Sequence, residues 1–293
     1  MLSRRNVLKT SGVAAVVAIT GIATDAVAFQ ANDPVLRRID LTLPRLPQKW
    51  DGLRIAQLSD FHYDPDFSVI PIQKAVKIIN SLHVDLVALT GDFVTQEFFH
   101  RHIFGTPHPV LAVIPCAEVL SGLRSKYGSF AVLGNHDVWC GAETIIDKLQ
   151  AKNIPVLRNS SSVLENGGQR LWLAGVDDVY EGAPDLQKTL SHIPDEDCVI
   201  LLCHEPDYAD TVRGYSVDLQ LSGHSHGGQI RLPLIGPPYL PELGRKYPIG
   251  MYNFGHLTLY TNVGIGTIRI PARWNCPPEI TLFTLHSGAE RKG

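Results

Sequence analysis

The stretch LSGHSHGGQI (residues 221–230) places two histidines around one serine at the end of an apolar run. In extended backbone, residues two apart point to the same side, so His224 and His226 can face one point in space. A polar loop with two surface histidines is the simpler interpretation of such a pair. Metal binding becomes the better interpretation only if other ligand-type residues reach the same place.

Four other apolar runs end in the same way, each directly before residue types that bind metals. LRIAQLS (53–59) precedes Asp60 and His62, VDLVALT (84–90) precedes Asp92, SFAVL (129–133) precedes Asn135, His136 and Asp137, and VILLC (199–203) precedes His204. A Gly-Asp or a Gly-Asn-His-Asp after a strand is, taken singly, an ordinary turn. Five such coincidences in one chain favour a shared site instead.

The periodicity between the runs predicts helices. Residues 69–82 place apolar side chains on one helical face, and residues 143–152 are predicted to form another helix. Strands that alternate with helices indicate an α/β sheet, in which ligands collect beyond the carboxyl ends of the strands. The five strand ends are therefore expected to converge on one edge.

The residue types indicate the chemistry. Imidazole and carboxylate groups without thiolate suit Mn, Fe, Zn or Ni rather than a structural zinc site. Seven candidate ligands are too many for one tetrahedral ion and fit two ions that share a carboxylate, as in phosphatases and nucleases. Neighbouring glycines are expected to allow sharp turns at Gly91, Gly134 and Gly223 and to leave room at Gly227 and Gly228.

In this order, D-x-H, G-D, G-N-H-D, H and G-H-S-H resemble the motif series of the calcineurin-like metallophosphoesterase family. The resemblance implies a four-layer α/β/β/α sandwich of two mixed sheets flanked by helices. It also implies two divalent metal ions (Mn, Fe or Zn), one held by Asp60, His62 and His226, the other by Asn135, His204 and His224, with Asp92 bridging both. A metal-bridging hydroxide would then attack phosphorus.

Two residues beside the ligands are expected to assist catalysis. The resemblance implies that His136 acts as an acid for the leaving group or stabilises charge near the scissile phosphate. Asp137 has two open interpretations: it orients His136 from behind, or it is a solvated turn residue.

The complete ligand set favours a metal-dependent phosphoric ester hydrolase over two other classes. A non-catalytic scaffold with the same fold would be favoured by lost ligands, and none is lost. A metallo-β-lactamase-like hydrolase would continue His226 with Asp-His, where Gly227 and Gly228 stand. The substrate stays open between a phosphodiester or pyrophosphate and the nucleotide or monoester substrates of a broad-specificity enzyme.

The first 28 residues form a separate segment. Arg4, Arg5 and Lys9 precede an apolar run at residues 13–22 and an Ala-Val-Ala sequence at 26–28, and SRRNVLK resembles a twin-arginine export signal. A short membrane anchor is the alternative, but the run is too short to span about 30 Å. We therefore expect residues 29–293 to form a single domain, exported to the periplasm, cell wall or outer face of the cytoplasmic membrane.

The net charge limits the possible partners, and the cysteine pattern limits the possible disulfides. Loss of residues 1–28 reduces 26 basic and 29 acidic residues to 23 and 28, which leaves a net charge near −5. This charge argues against general nucleic-acid binding. The five cysteines are odd in number and contain no CxxC pair, so a disulfide framework is not expected.

The segment after the paired histidines, RLPLIGPPYLPELGRKYPIGMY (231–252), is rich in proline and apolar residues. Its composition argues against a helix or a central strand. Leu234, Ile235, Tyr239 and Leu240 are expected to form an apolar lip at the site, with Arg245 and Lys246 available to a phosphate or anionic headgroup. The alternative is a segment that simply packs over the sheet edge.

This segment and RWNCPPEITLFTL (273–285) resemble exported phosphodiesterases related to UDP-diacylglucosamine pyrophosphatases. The expected partners are therefore a cell-envelope lipid or polymer substrate, the twin-arginine export machinery and a peripheral membrane contact. A second histidine pair, His100 and His102, is interpreted as part of a surface loop because it lacks convergent partners.

Overall fold

The computed structural model describes residues 20–21, 24–95 and 109–288. The predicted loop with His100 and His102 lies outside the described residues. Among the described residues, no helix is both long enough and apolar enough to cross a membrane. The region around the expected cleavage site forms a π-helical turn at Asp25–Phe29, in which Ala26 is buried.

One sheet has five strands, built from both ends of the chain. The strands are β1 (Val35–Leu43), β2 (Leu53–Leu58), β3 (Leu86–Leu89), β4 (Ser129–Ala131) and, from the carboxyl end, β11 (Glu279–Ser287). Their order is β1-β11-β2-β3-β4. Strands β2, β3 and β4 run parallel, while β11 is antiparallel to β2, so the sheet is mixed.

The second sheet has six strands. They are β5 (Ser160–Asn166), β6 (Gln169–Gly175), β7 (Val199–Leu202), β8 (Leu219–Ser222), β9 (Gly250–Phe254) and β10 (Leu257–Thr261), in the order β5-β6-β7-β8-β10-β9. Strands β6, β7, β8 and β10 are parallel, and each edge strand is antiparallel to its neighbour. The proline-rich segment thus ends in an edge strand, which agrees with the prediction that it forms neither a helix nor a central strand.

Helices cover the outer faces of the sheets. They are α1 (Val69–Ser81), α2 (Val113–Leu120), α3 (Asn135–Gln150), α4 (Leu186–Leu190) and α5 (Ala209–Val212). Helix α1 buries Ile72, Ala75, Val76 and Ile79, the face that the periodicity predicted. The prediction for 143–152 placed the start of α3 eight residues too late, because the chain already enters the helix at Asn135 and kinks at Gly141.

Among the described residues, the buried side chains form three apolar clusters, which lie between four layers. Alternation along β2 sends Leu53 and Ile55 into the cluster between the two sheets, and Ala56 and Leu58 into the cluster under α1, α2 and α3. A third cluster lies between the six-stranded sheet and helices α4 and α5. The chain is therefore an α/β/β/α sandwich of two mixed sheets, as the resemblance implied.

The expectation of one sheet edge is wrong in one respect. The five ligand-bearing strand ends belong to two sheets: β2, β3 and β4 to the first, and β7 and β8 to the second. The parallel registers pair Leu58 with Leu89 and Leu202 with Leu221, so the strands of each sheet end together. A buried hydrogen bond from Gln57 Nε2 to Ser222 O (2.9 Å) joins the two sheets at this level.

The five cysteines, all in the described part of the chain, are free thiols. Four of them are buried, and burial raises the pKa of Cys116, Cys198, Cys203 and Cys276 above the ordinary thiol value. They therefore behave as small apolar side chains.

Candidate metal centre

The candidate ligands lie on backbone that bends sharply where the strands end. Five of them have left-handed φ values between 41° and 66°: Asp60, His62, Asp92, His224 and His226. A non-glycine residue in this region carries strain of order 1–3 kcal/mol. Such residues persist where the surroundings hold them, and the clustering of five at one place indicates a functional site.

Backbone hydrogen bonds hold these strained loops against one another. Asp60 N donates to Gly91 O (2.9 Å), and His62 N donates to Asp92 O (2.9 Å), which couples the ends of β2 and β3. Across the two sheets, His224 N donates to Asp60 Oδ1 (3.0 Å). The ligand loops of both sheets therefore form one connected unit.

Two roles were predicted for the glycines, sharp turns and room beside the metal, and the structure assigns them partly to other positions. Gly91 does turn with positive φ, but Gly134 is extended (φ −108°), and what it supplies is room. A Cβ there would lie 2.3 Å from an oxygen of Asp92. The sharp turn after the paired histidines is made by Gly227 and Gly228, with φ values of 57° and 82°.

Three ligand atoms from Asp60, His62 and His226 lie within 4.8 Å of one another. The Nε2 atoms of the two histidines are 3.0 Å apart, and His226 Nε2 is 3.2 Å from Asp60 Oδ1. Two imidazole nitrogens aimed at each other beside a carboxylate match the donor set of a divalent cation. The structure thus brings together the three ligands expected for the first metal.

A second cluster joins Asp92, His204 and His224, again within 4.8 Å. His204 Nε2 is 3.2 Å from Asp92 Oδ2 without forming a hydrogen bond of acceptable geometry. Asn135 Oδ1 is also buried and lacks a hydrogen-bond partner. Unpaired buried polar atoms cost free energy, and a bound cation would offset that cost. The residues present therefore fit a second metal.

Asp92 faces both clusters through a single oxygen. Its Oδ2 atom lies 3.5 Å from His62 Nε2 and 3.2 Å from His204 Nε2. The other oxygen, Oδ1, accepts the backbone N–H of His136 (3.0 Å). This is the arrangement needed for a carboxylate shared by two ions.

Oxygen atoms behind three of the histidines fix their rings. His62 Nδ1 contacts Thr95 Oγ1 (2.9 Å), His204 Nδ1 contacts Thr90 O (2.6 Å) and His224 Nε2 contacts Glu242 O (2.7 Å). Each carbonyl accepts a hydrogen bond from the ring N–H that faces it, so the other ring nitrogen of that histidine is the one available to a metal. Thr90 and Glu242 act through backbone carbonyls, so no sequence pattern could have identified them.

Burial keeps three of the four ligand histidines neutral. Burial lowers the pKa of His62 and of His224 to about 3, and it lowers the pKa of His226 well below the ordinary value, so these rings are neutral at physiological pH. Burial alone would also lower the pKa of His204, but the Asp92 carboxylate raises it well above its usual range. Neutral imidazole is the form that binds metals, and a metal would displace the His204 proton.

The two expected catalytic residues lie in the first turn of α3. The centre of the half-buried His136 ring is 5.0 Å from that of the His62 ring, and a His136 nitrogen lies within 4.8 Å of ligand atoms of His62 and Asp92. Asp137 is fully buried, which contradicts its interpretation as a solvated turn residue. Its carboxylate accepts three backbone N–H groups, from Phe93 (2.8 Å), Val94 (3.2 Å) and Gly134 (3.0 Å).

The segment after His226 lies beside the site and forms a protruding turn. Glu242 O contacts His224, and Gly244 packs against the same ring. At the tip of the turn, Leu234 is fully exposed and Ile235 is 77% exposed. Leu240 is half-buried, so its part in an apolar lip is smaller than expected.

Two of the three basic residues of this segment, Arg245 and Lys246, already have partners in the protein. Lys246 Nζ forms an ion pair with Asp210, and Arg245 Nε donates to Leu240 O (3.3 Å). Asp207 also accepts both of their backbone N–H groups. Lys246 thus forms a surface ion pair, and the availability of both cations to a phosphate stays a prediction.

A residue that the sequence reasoning missed is Arg273, the first residue of RWNCPPEITLFTL. It is completely buried, and its guanidinium donates to the backbone carbonyls of Val263, Gly266 and Cys276. Gly266 N in turn donates to Asp60 O (2.8 Å). Arg273 therefore holds the loop that packs on Asp60, and burial lowers its pKa.

A family model and two curated relatives indicate the same family. A family model described as calcineurin-like phosphoesterase matches residues 53–228. The uncharacterized metallophosphoesterase YkuE of Bacillus subtilis is 39% identical over 245 residues, covering 83% of this chain and 82% of that protein. Phosphodiesterase YaeI of Escherichia coli is 31% identical over 239 residues, covering 79% and 82%. A solved structure, TT1561 of Thermus thermophilus, has a TM-score of 0.48 at 14% identity, covering 73% and 90%.

Proposed function

Because the chain belongs to the calcineurin-like phosphoesterase family, we propose that it cleaves a phosphodiester or pyrophosphate of a cell-envelope lipid or polymer. As a member of this family it is a metal-dependent phosphoric ester hydrolase, and the family uses two divalent metal ions. One relative is named a phosphodiesterase, which supports the diester preference.

The proposed roles of the residues follow the two clusters. One metal is held by Asp60, His62 and His226, the other by Asn135, His204 and His224, and Asp92 is shared. When bound, such metals lower the pKa of water and neutralise charge on phosphoryl oxygens. His136 donates a proton to the leaving group or stabilises its charge, and Asp137 positions the backbone on which His136 and Asp92 meet.

The exposed turn that follows His226 carries the lipid part of the proposal. Leu234 adopts a left-handed backbone conformation (φ 66°), which is unfavourable for leucine, while its side chain is completely exposed. Tyr239, also exposed, has the guanidinium of Arg269 4.8 Å from its ring centre. Exposed apolar side chains next to cations suit the surface of an anionic membrane.

The location is part of the same proposal. The twin-arginine-type segment at residues 1–28 would export the folded domain to the periplasm, cell wall or outer face of the cytoplasmic membrane. There, lipids and envelope polymers are the abundant phosphoesters, and the exposed turn would give a peripheral membrane contact.

A substrate panel tests the proposal. The metal-reconstituted enzyme should hydrolyse bis-p-nitrophenyl phosphate and a lipid pyrophosphate in vesicles, with p-nitrophenyl phosphate a poor substrate. The double substitution Leu234→Ser and Ile235→Ser should lower turnover of the vesicle substrate about tenfold, because roughly 1.4 kcal/mol of apolar contact is lost. Hydrolysis of soluble bis-p-nitrophenyl phosphate should stay unchanged.

Val163→Ser is the matched control, since Val163 is an exposed apolar residue (41%) on the edge strand β5. This variant should turn over both the vesicle substrate and bis-p-nitrophenyl phosphate at the wild-type rate. If the double variant slows both substrates alike, the turn is structural and the lipid substrate is wrong. Faster cleavage of monoesters or nucleotides would instead favour a broad-specificity enzyme, and no turnover with two metals bound would indicate a scaffold.

A further inference from the structure

The loop between β6 and α4, residues 177–183, approaches the metal centre from the side of His224. It carries Tyr180, whose side chain is 46% exposed. The ring centre of Tyr180 lies 6.5 Å from that of His224, with the two planes tilted by 44°. An exposed aromatic ring therefore borders the ligand cluster.

Buried acidic side chains accept hydrogen bonds from the backbone of this loop. Asp177, Asp178 and Glu205 are each at least 98% buried. Together they accept backbone N–H groups along the whole loop, those of Asp178, Val179, Tyr180, Glu181 and Ala183. Burying an acidic group is expensive unless it is well hydrogen-bonded, so three of them form an unusual support for a surface loop.

Two of these acidic side chains also connect the loop to neighbouring parts of the fold. Glu205 follows His204 directly, and its Oε2 atom accepts the N–H of Val179 (3.1 Å). On the other side, Arg158 forms an ion pair with Asp177 (2.9 Å). Glu205 therefore links the backbone beside Tyr180 to the strand end that carries His204.

We propose that Tyr180 forms a binding subsite for a planar ring, an aryl group or a nucleobase, on one substituent of the substrate phosphate. The subsite rests on the proposed function, because the phosphate would bind at the metal centre beside His224. A rigid exposed tyrosine offers large contact area at little entropic loss, and rings stack on it with useful affinity.

This subsite gives the enzyme a second point of recognition. A phosphodiester or pyrophosphate has a substituent on each side of the cleaved bond, whereas a monoester has one. One substituent would stack on Tyr180, and the other would remain for the apolar turn at Leu234 and Ile235. A substrate with a planar ring on one side and an apolar group on the other is therefore the best fit.

Steady-state kinetics of Tyr180→Ala test the subsite. Its KM for bis-p-nitrophenyl phosphate should rise about tenfold with kcat nearly unchanged, because stacking is worth about 1–3 kcal/mol per ring. The KM for a dialkyl phosphodiester should stay the same. Tyr180→Phe keeps the ring and should behave as the wild type. Tyr215→Ala removes another exposed tyrosine (37%), which lies just before β8, and should change neither KM.

Binding is measured separately from turnover. In calorimetry with the two-metal enzyme, a nucleoside 5′-monophosphate and phenyl phosphate should each bind about tenfold more weakly to Tyr180→Ala, while inorganic phosphate binds equally. A loss for only one ring ligand identifies which ring the subsite takes. Equal affinity of both ring ligands for variant and wild type overturns the subsite. Absence of hydrolysis by the wild type would overturn the proposed function but leave this comparison intact.

Discussion

At the scale of single residues, a substitution of His136 can show whether proton transfer is lost while the metals stay bound. Its backbone N–H bonds Asp92, but its side chain is half-buried beside the ligand cluster rather than enclosed in it. His136→Ala should keep both metals and lose about 10²–10⁴-fold in kcat on an alkyl phosphodiester. With a p-nitrophenyl leaving group, which needs little protonation, the loss should be smaller.

The measurement compares kcat for the two leaving groups and the metal content by elemental analysis. Equal losses on both substrates would mean that His136 stabilises charge instead of donating a proton. Loss of a metal ion would mean that His136 is itself a ligand, which its distance to His62 and Asp92 also allows.

At the scale of elements, the amino end of α3 organises the loop that carries Asp92. Asp137→Ala would leave three buried N–H groups without an acceptor, each costing about 1–3 kcal/mol. The free energy of unfolding in urea should therefore fall by roughly 3 kcal/mol or more, with Asp137→Asn less affected because one acceptor oxygen remains. Asp147→Ala, an exposed change in the same helix, is the control and should stay within about 0.5 kcal/mol of the wild type.

Activity provides the second readout for this helix. The loop of Phe93 and Val94 depends on Asp137, and Asp92 precedes it directly, so metal affinity should weaken together with stability. An Asp137→Ala protein as stable as the wild type would show that the three backbone bonds contribute nothing.

At the scale of the whole molecule, the metal centre joins the two sheets. Its proposed ligands follow β2, β3 and β4 in one sheet and β7 and β8 in the other. Ions that bind only the folded chain stabilise it by about 2.7 kcal/mol per site at a hundredfold excess over Kd. For two ions this is about 5 kcal/mol, so removal of both metals by a chelator should lower the Tm by roughly 10–20 °C.

Asp92→Ala supplies the comparison, since both clusters share this carboxylate. The variant should contain neither ion, and its Tm should not respond to the chelator. His62→Ala should mainly weaken one ion and keep part of the response. A full two-metal complement in Asp92→Ala would contradict the shared position.

The sequence by itself determined the strands that lead into the ligands, the apolar face of α1 and the ligand residue types. These features are readable because periodicity and residue chemistry are local properties. Only the tertiary structure decided that the ligand-bearing strands belong to two sheets, that α3 begins at Asn135, and that Asp137 is buried against the backbone. It also revealed Arg273, the carbonyls of Thr90 and Glu242, and the support beneath Tyr180. Those contacts join residues far apart in the chain, often through backbone atoms that every residue has, so no local pattern encodes them.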